Sequence, residues 1–457
     1  MAATNGLVAR MHFTSALSHY VFNPLWDIKD GRRRLKILRQ LERSQWLPST
    51  TLQARQLARL QSMLKYAAAN SAYYQGLFRQ SRFDPDDFRM EAFQTLPLLT
   101  KSIIRASTDE ILSREYPRNT LGSHRTGGST GVALTTYFDR DWLEPRSADA
   151  LRSNQWAGYY HGMKVASLWG NPPVPKTLKQ RIRWWLIDRT IYLDTIDLNE
   201  RSIGDFIQRW RRARPEILFG HSHSLYILAC FLLSKGVQDL QPRGIISTSM
   251  MLLAKERQVI ERVFGCKVSD RYGSEEVGLI AAECDRHEGL HLNIEHLYIE
   301  FLKPDGTAAA PGDEGAVVIT DLCNRGMPFI RYRIEDVAVP SPRMCSCGRG
   351  LPLLERVTGR VADYLKRRDG SLVAGVSLVE RTLTAIPGLE QLQVIQPAVD
   401  EIVLNVVRAT DFTAASEQAL LDEFKVVFGP GISIRTEYLE RIPQERSGKY
   451  RFAICRV

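Results

Sequence analysis

Between residues 120 and 340 the chain alternates short apolar runs with helix-spaced stretches, and that alternation constrains its fold more than any other feature. The runs at 165–169, 216–219, 244–248, 297–301 and 316–320 have the length of strands, and the stretch 255–264 between them has helical spacing. Strands that alternate with helices bury their faces by layering, so the expected fold class is α/β with a large layered body. Pro304-Asp305-Gly306 sits between two of the runs and predicts a hairpin. Ahead of them, Leu35, Ile37, Leu38 and Leu41, then Leu57, Leu60, Leu64 and Ala67, recur at helix spacing and predict a helical N-terminal region within 1–95.

The pattern changes after Gly359. Asp369-Gly370 marks a tight turn, then come a helix at 378–385, strands at 390–395 and 402–407, a helix at 415–428 and a strand at 432–439. This order predicts a small, mobile α+β C-terminal lid domain over 359–457, joined to a body over 1–358 by a connector at 358–364. A chain of 457 residues also exceeds one typical core.

The formal charge of +10 raises the question of nucleic acid. The basic residues are scattered, however, and Arg32-Arg33-Arg34 and the cluster at 209–214 sit in helical stretches among Leu, Ile and Trp. Solvated helix faces are the expectation, with no nucleic-acid partner. The longest apolar run, 225–233, is far too short to span a bilayer, and Arg10 and His12 interrupt the N-terminus before a signal region forms. Seven cysteines argue against a disulfide framework, so the expected location is the cytoplasm.

Five segments carry chemistry. Thr126-Gly127-Gly128-Ser129-Thr130-Gly131 combines hydroxyls with glycines whose backbone can approach an anion closely, although neither Walker nor dinucleotide spacing is present. Tyr272-Gly273-Ser274-Glu275-Glu276, expected at a strand end, places an aromatic face beside carboxylates: a purine can stack on the ring and a carboxylate can hold magnesium. The bland alternative is a surface turn with solvated acids. Tyr332-Arg333-Ile334-Glu335-Asp336 ends a predicted strand with a carboxylate suited to a ribose diol. Thr358-Gly359-Arg360-Val361-Ala362-Asp363 falls at the domain joint, and Ser447-Gly448-Lys449 puts a lysine in a glycine-flanked loop.

Taken in order, these segments resemble the adenylate-forming superfamily of acyl-coenzyme A synthetases and adenylation domains, from about residue 40 to the C-terminus. The likeness is greatest to phenylacetate–coenzyme A ligases and their relatives encoded with capsular polysaccharide genes, as seen in the Ala-Ala-Asn-Ser-Ala-Tyr-Tyr stretch ending at Tyr74, in 283–291 and in Cys345-Ser346-Cys347-Gly348-Arg349. The resemblance implies that Thr126 to Gly131 hold the phosphates of ATP, with Tyr272 and Gly273 at adenine and Glu276 on Mg2+. It further implies that Asp336 and Arg360 serve the ribose, and that Lys449 meets the α-phosphate and the attacking carboxylate. Val132, Met250, Glu275 and Ala362 depart from the usual pattern.

The implied reaction activates a small carboxylic acid and passes it to coenzyme A. Two alternatives stand beside it: transfer to an amine or a sugar hydroxyl, and a catalytically silent nucleotide-binding scaffold. Cys284, His291, Cys345 and Cys347 can form a closed Cys3His site for structural Zn2+, with His287 as the alternative imidazole and reduced buried thiols as the metal-free reading.

Overall fold

The computed structural model describes residues 12–126, 134–170, 172–195, 198–250, 252, 254–357, 364–440, 442 and 453–457. The N-terminal region is helical as expected. Its longest element, Ser49–Asn70, buries Leu52, Leu60, Met63, Leu64 and Ala67. Leu57 falls off that stripe and is exposed, so one of the residues expected on the buried face is not there. Ser71 ends this helix and caps the next, Ala72–Gln80, by accepting from the Tyr74 N–H.

An eleven-stranded sheet forms the body. In spatial order its strands are Leu297–Leu302, Gly315–Asp321, Tyr332–Pro340, Leu353–Val357, Leu290–Leu292, Gly278–Glu283, Val268–Ser274, Gly244–Thr248, Ile217–His221, Val165–Trp169 and Thr190–Asp194. The last four pair in parallel and are joined by helices such as Glu200–Ala213 and Ser222–Ser234, whereas the first six pair antiparallel. Val268–Ser274 is the seam. Its first half, Val268 to Asp270, pairs in parallel with Gly244–Thr248, and Arg271 to Ser274 pair antiparallel with Gly278–Glu283. The sheet therefore changes character one residue before Tyr272.

The C-terminal elements have an apolar core of their own, including Leu378, Leu392, Leu404, Leu420 and Phe424. Gly375–Ala385 and Ala414–Phe428 accompany a four-stranded sheet in the order Ser433–Tyr438, Glu401–Arg408, Leu389–Ala398, Ala453–Cys455. The terminal strand Ala453–Cys455 was not anticipated; it runs parallel to Leu389–Ala398. Residues 358–363, where the connector is expected, lie outside the described residues. Among the described residues, no helix is long and apolar enough to cross a membrane.

Candidate active site and metal centre

Tyr272 lies within the seam strand and not at its end. The strand runs on to Ser274, turns through 275–277 and returns as Gly278–Glu283. Two glycines make this turn possible. A Cβ on Gly273 would stand 2.6 Å from the carbonyl oxygen of Gly278, and Gly278 itself has φ +83° with Arg146 Cγ 3.0 Å from where its Cβ would be. The spacing of glycines around Glu275-Glu276 is thus a packing requirement between two backbones.

Asp336 is also mid-strand, the fifth residue of Tyr332–Pro340, beside a bulge opposite Val317. The preceding Glu335 takes φ +68°, a conformation costly for a side-chain-bearing residue, and its carboxylate accepts from buried Lys101 Nζ at 2.8 Å. Asp336 is buried, and the Tyr272 hydroxyl donates to its Oδ2 at 2.7 Å. The aromatic and carboxylate expected at adenine and ribose are therefore neighbours, although 64 residues separate them in the chain.

Glu276 is buried in the turn, while Glu275 accepts from Arg146 through its carboxylate at 3.0 Å and its carbonyl at 2.9 Å. Arg146 belongs to the helix Leu143–Trp156 and stands over the Trp142 ring. Its guanidinium also reaches within 3.5 Å of the His124 ring, on the strand Gly122–Thr126. Burial lowers the His124 pKa, against the pull of Glu275. This chain of contacts sets the strand that ends at Thr126 beside the acidic turn. Gly127, Gly128, Ser129, Thr130, Gly131, Arg360 and Lys449 lie outside the described residues.

At the C-terminal ends of the parallel strands, Trp169 stacks near Phe219 and His221, with ring centroids at 5.8 and 4.3 Å. This is where open α/β sheets place small-molecule sites. Burial holds the His221 imidazole neutral, its pKa lowered to about 4. The Ser222 hydroxyl donates to the Met250 carbonyl at 2.8 Å and lies 2.6 Å from Ser247 Oγ, so its proton is engaged away from His221. Asp270 pairs with Ser247 across adjacent strands; burial, with Glu283 adding to it, pushes its pKa up to about 7.

The four residues expected to bind zinc converge. One potential ligand atom from each of Cys284, His291, Cys345 and Cys347 falls within 4.8 Å of the others. Cys284 Sγ lies 3.6 Å from Cys345 Sγ, close to the edge of about 3.8 Å of a tetrahedron with Zn–S near 2.3 Å. His291 Nδ1 is 3.1 Å from the Leu351 carbonyl, which leaves Nε2 towards Cys347 Sγ at 3.3 Å. Backbone N–H groups of Arg286 and Arg349 each donate to a sulfur at 3.4 Å. This donor set suits a closed structural zinc site. His287 turns instead to Glu283 Oε2 at 3.2 Å. Behind the cluster, Trp156 meets His291 edge-on, and the Arg349 guanidinium lies over Trp156 and Trp46.

Residues 365–456 match the family described as the CapK C-terminal domain. Protein CapK of Staphylococcus aureus is 24% identical over 404 residues, covering 87% of this chain and 88% of that protein. The phenylacetate–coenzyme A ligases of Thermus thermophilus and Escherichia coli are 25% and 26% identical, over 75% and 69% of this chain and 77% and 72% of theirs. Over most of its length the chain is thus similar to CapK and to phenylacetate–coenzyme A ligases. A solved 2-hydroxyisobutyryl-CoA ligase in complex with its acyl-AMP and CoA, in the thioesterification state, superposes with a TM-score of 0.61 at 19% identity, covering 91% of both chains. That similarity confirms the α/β fold, with its large body and separate C-terminal part. Neither Arg146, His124 nor Lys101 was singled out from the sequence, and no motif marks them.

Proposed function

We propose that the chain uses ATP to convert a small carboxylic acid into its acyl-adenylate and then transfers the acyl group to coenzyme A. The observation that supports this best is the contact of Tyr272 with Asp336 beside the turn that carries Glu276. In this reading the acid's carboxylate oxygen attacks the α-phosphorus, and the bond to the β-phosphate oxygen breaks as pyrophosphate leaves. The thiolate of coenzyme A then attacks the acyl carbon and displaces AMP.

Each group has a role set by its chemistry. Tyr272 lies against adenine, and its hydroxyl orients the Asp336 carboxylate, whose acceptor oxygens suit the ribose diol. Thr126 to Gly131 supply hydroxyl and N–H donors to the phosphates, Arg360 assists at the ribose, and Lys449 neutralises charge on the α-phosphate. Mg2+ held by Glu276 would screen the phosphate oxygens. Arg146 holds the turn through Glu275, which here replaces a hydroxyl residue. The acid lies among Trp169, Phe219, His221 and Ser247, in a mixed apolar and hydroxyl setting that suits an aromatic or modest-sized acid. We assign the lid role to residues from 359 onward, and a structural Zn2+ to Cys284, His291, Cys345 and Cys347. We assign the reaction to surface polysaccharide biosynthesis, a reading that the likeness to CapK supports.

Incubation with ATP, Mg2+, coenzyme A and a panel of carboxylates tests the reading. The expected products are AMP and one acyl thioester, identified by mass. AMP released only when an amine or sugar replaces coenzyme A would refute the assigned acceptor.

A further inference from the structure

The first described helix is turned inside out. Phe13–Leu17, Ser18–Phe22 and Asn23–Lys29 follow one another as a helical segment with a π-turn in its middle. Its inward face is polar. Ser15 Oγ donates to Glu216 Oε1 at 2.5 Å, Ser18 Oγ donates to the Leu186 carbonyl at 2.5 Å, and Asp27 accepts from Arg34 Nε at 2.8 Å; all three are buried. Its outward face carries Phe13, Leu17, Tyr20, Val21, Leu25 and Ile28, at the spacing of a single helical stripe, with Phe13 81% and Ile28 75% exposed. A surface helix ordinarily does the reverse.

The neighbouring helical segment also turns apolar residues outward, although it buries Ile187. Leu178–Arg183 and Trp184–Asp188 expose Leu178, Ile182 and Trp185, at i, i+4 and i+7, and Trp185 is 76% exposed. The two segments are tied together by the Ser18–Leu186 bond and by Arg189, which donates to Thr14 Oγ1 at 2.7 Å. Scattered exposed apolar side chains need no explanation, but two adjacent apolar helix faces mark a surface that something covers.

Charge identifies the cover. Residues 12–34 and 172–189 hold nine Lys and Arg against three Asp. Asp27 is buried against Arg34, Asp188 lies 3.5 Å from Arg183, and Arg32 and Arg33 pair with Glu144 and Asp141 of neighbouring elements, while Lys29, Lys176, Lys179 and Arg181 are exposed. In a symmetric pair of copies this excess would meet itself. Apolar and aromatic residues on one helix face, bordered by lysine and arginine, are instead the composition of a helix lying in a bilayer interface. We propose that this surface docks the chain on an anionic lipid bilayer, with the apolar stripe at the headgroup–acyl boundary and no segment crossing.

Co-sedimentation of the full chain with phosphatidylcholine vesicles, with and without phosphatidylglycerol, tests this. Binding to the anionic vesicles should be at least tenfold tighter and should weaken with added salt. Leu25→Glu with Trp185→Glu should lower it tenfold or more while the melting temperature and carboxylate-dependent pyrophosphate exchange stay those of the parent. Lys179→Gln should cost about fivefold. Absence of binding at low salt, or equal binding by the double variant, overturns the proposal. A concentration-dependent dimer that the double variant disperses, without vesicle binding, would assign the face to a second copy and likewise overturn it.

Discussion

Cys284, His291, Cys345 and Cys347 converge through two short segments clamped by backbone N–H groups, whereas Tyr272 meets Asp336 through the packing of distant strands, with Glu276 in the turn that follows Tyr272. The first group is closed upon itself and backed by Trp156 and Arg349. The second lies on the antiparallel side of the seam, with the strained Glu335 next to Asp336 in the chain. In the proposed reading the closed cluster of cysteines and imidazole serves stability, and the acids and rings serve chemistry. The two should therefore fail differently when cut.

The largest effect is expected at Lys449. Lys449→Ala should lower ATP–pyrophosphate exchange by about 10³-fold or more, because a charge partner of the transition state is lost. Given synthetic acyl-adenylate and coenzyme A, the same variant should keep much of thioester formation; equal loss in both half-reactions would deny the lysine a role confined to adenylation. Next comes Asp336→Ala, which should cost roughly a hundredfold in kcat/KM for ATP while the circular-dichroism melt remains cooperative. Normal ATP kinetics would place the ribose elsewhere.

On the other side of the comparison, Cys347→Ser should reduce bound zinc, measured by plasma emission, and lower the melting temperature by about 5 °C or more. Adenylation by the surviving folded protein should change little. Full zinc content and an unchanged melt would leave the cluster as four packed side chains.

The smallest effect concerns Asp270, whose carboxyl burial pushes up to about 7. Above the unfolded carboxylate range the unfolded chain releases this proton while the folded chain retains it. Stability from this group is therefore full below about pH 4 and is lost as the pH rises towards 7. Asp270→Asn should gain on the parent progressively across that window in urea melts at stepped pH. A constant difference would show that Asp270 ionises in the fold as it does in the open chain.

The convergence of the cysteine cluster was readable because its members sit in two compact local motifs. The strand runs at 165–169 and 244–248 were readable for a similar reason, since a buried strand is written in its own apolar length. The positions of Tyr272 and Asp336 within their strands were not, because nothing local tells a strand that continues through a bulge from one that stops. Leu57 misled in the opposite sense: it has helical spacing, but neighbouring elements cover the face beside it. Arg146 lies 129 residues before the glutamate it holds, so only the tertiary fold reveals that pairing. The inverted helix at 13–29 also kept its meaning hidden, since amphipathicity has the same period whichever face turns inward.

Labelled pyrophosphate exchange into ATP, without any acceptor and across a panel of carboxylates, tests the central claim most directly. Exchange that depends on one class of carboxylate, and that falls roughly a hundredfold in Asp336→Ala, is the predicted result. Absence of exchange with every acid, or cleavage of ATP to ADP and phosphate, would contradict the formation of an acyl-adenylate.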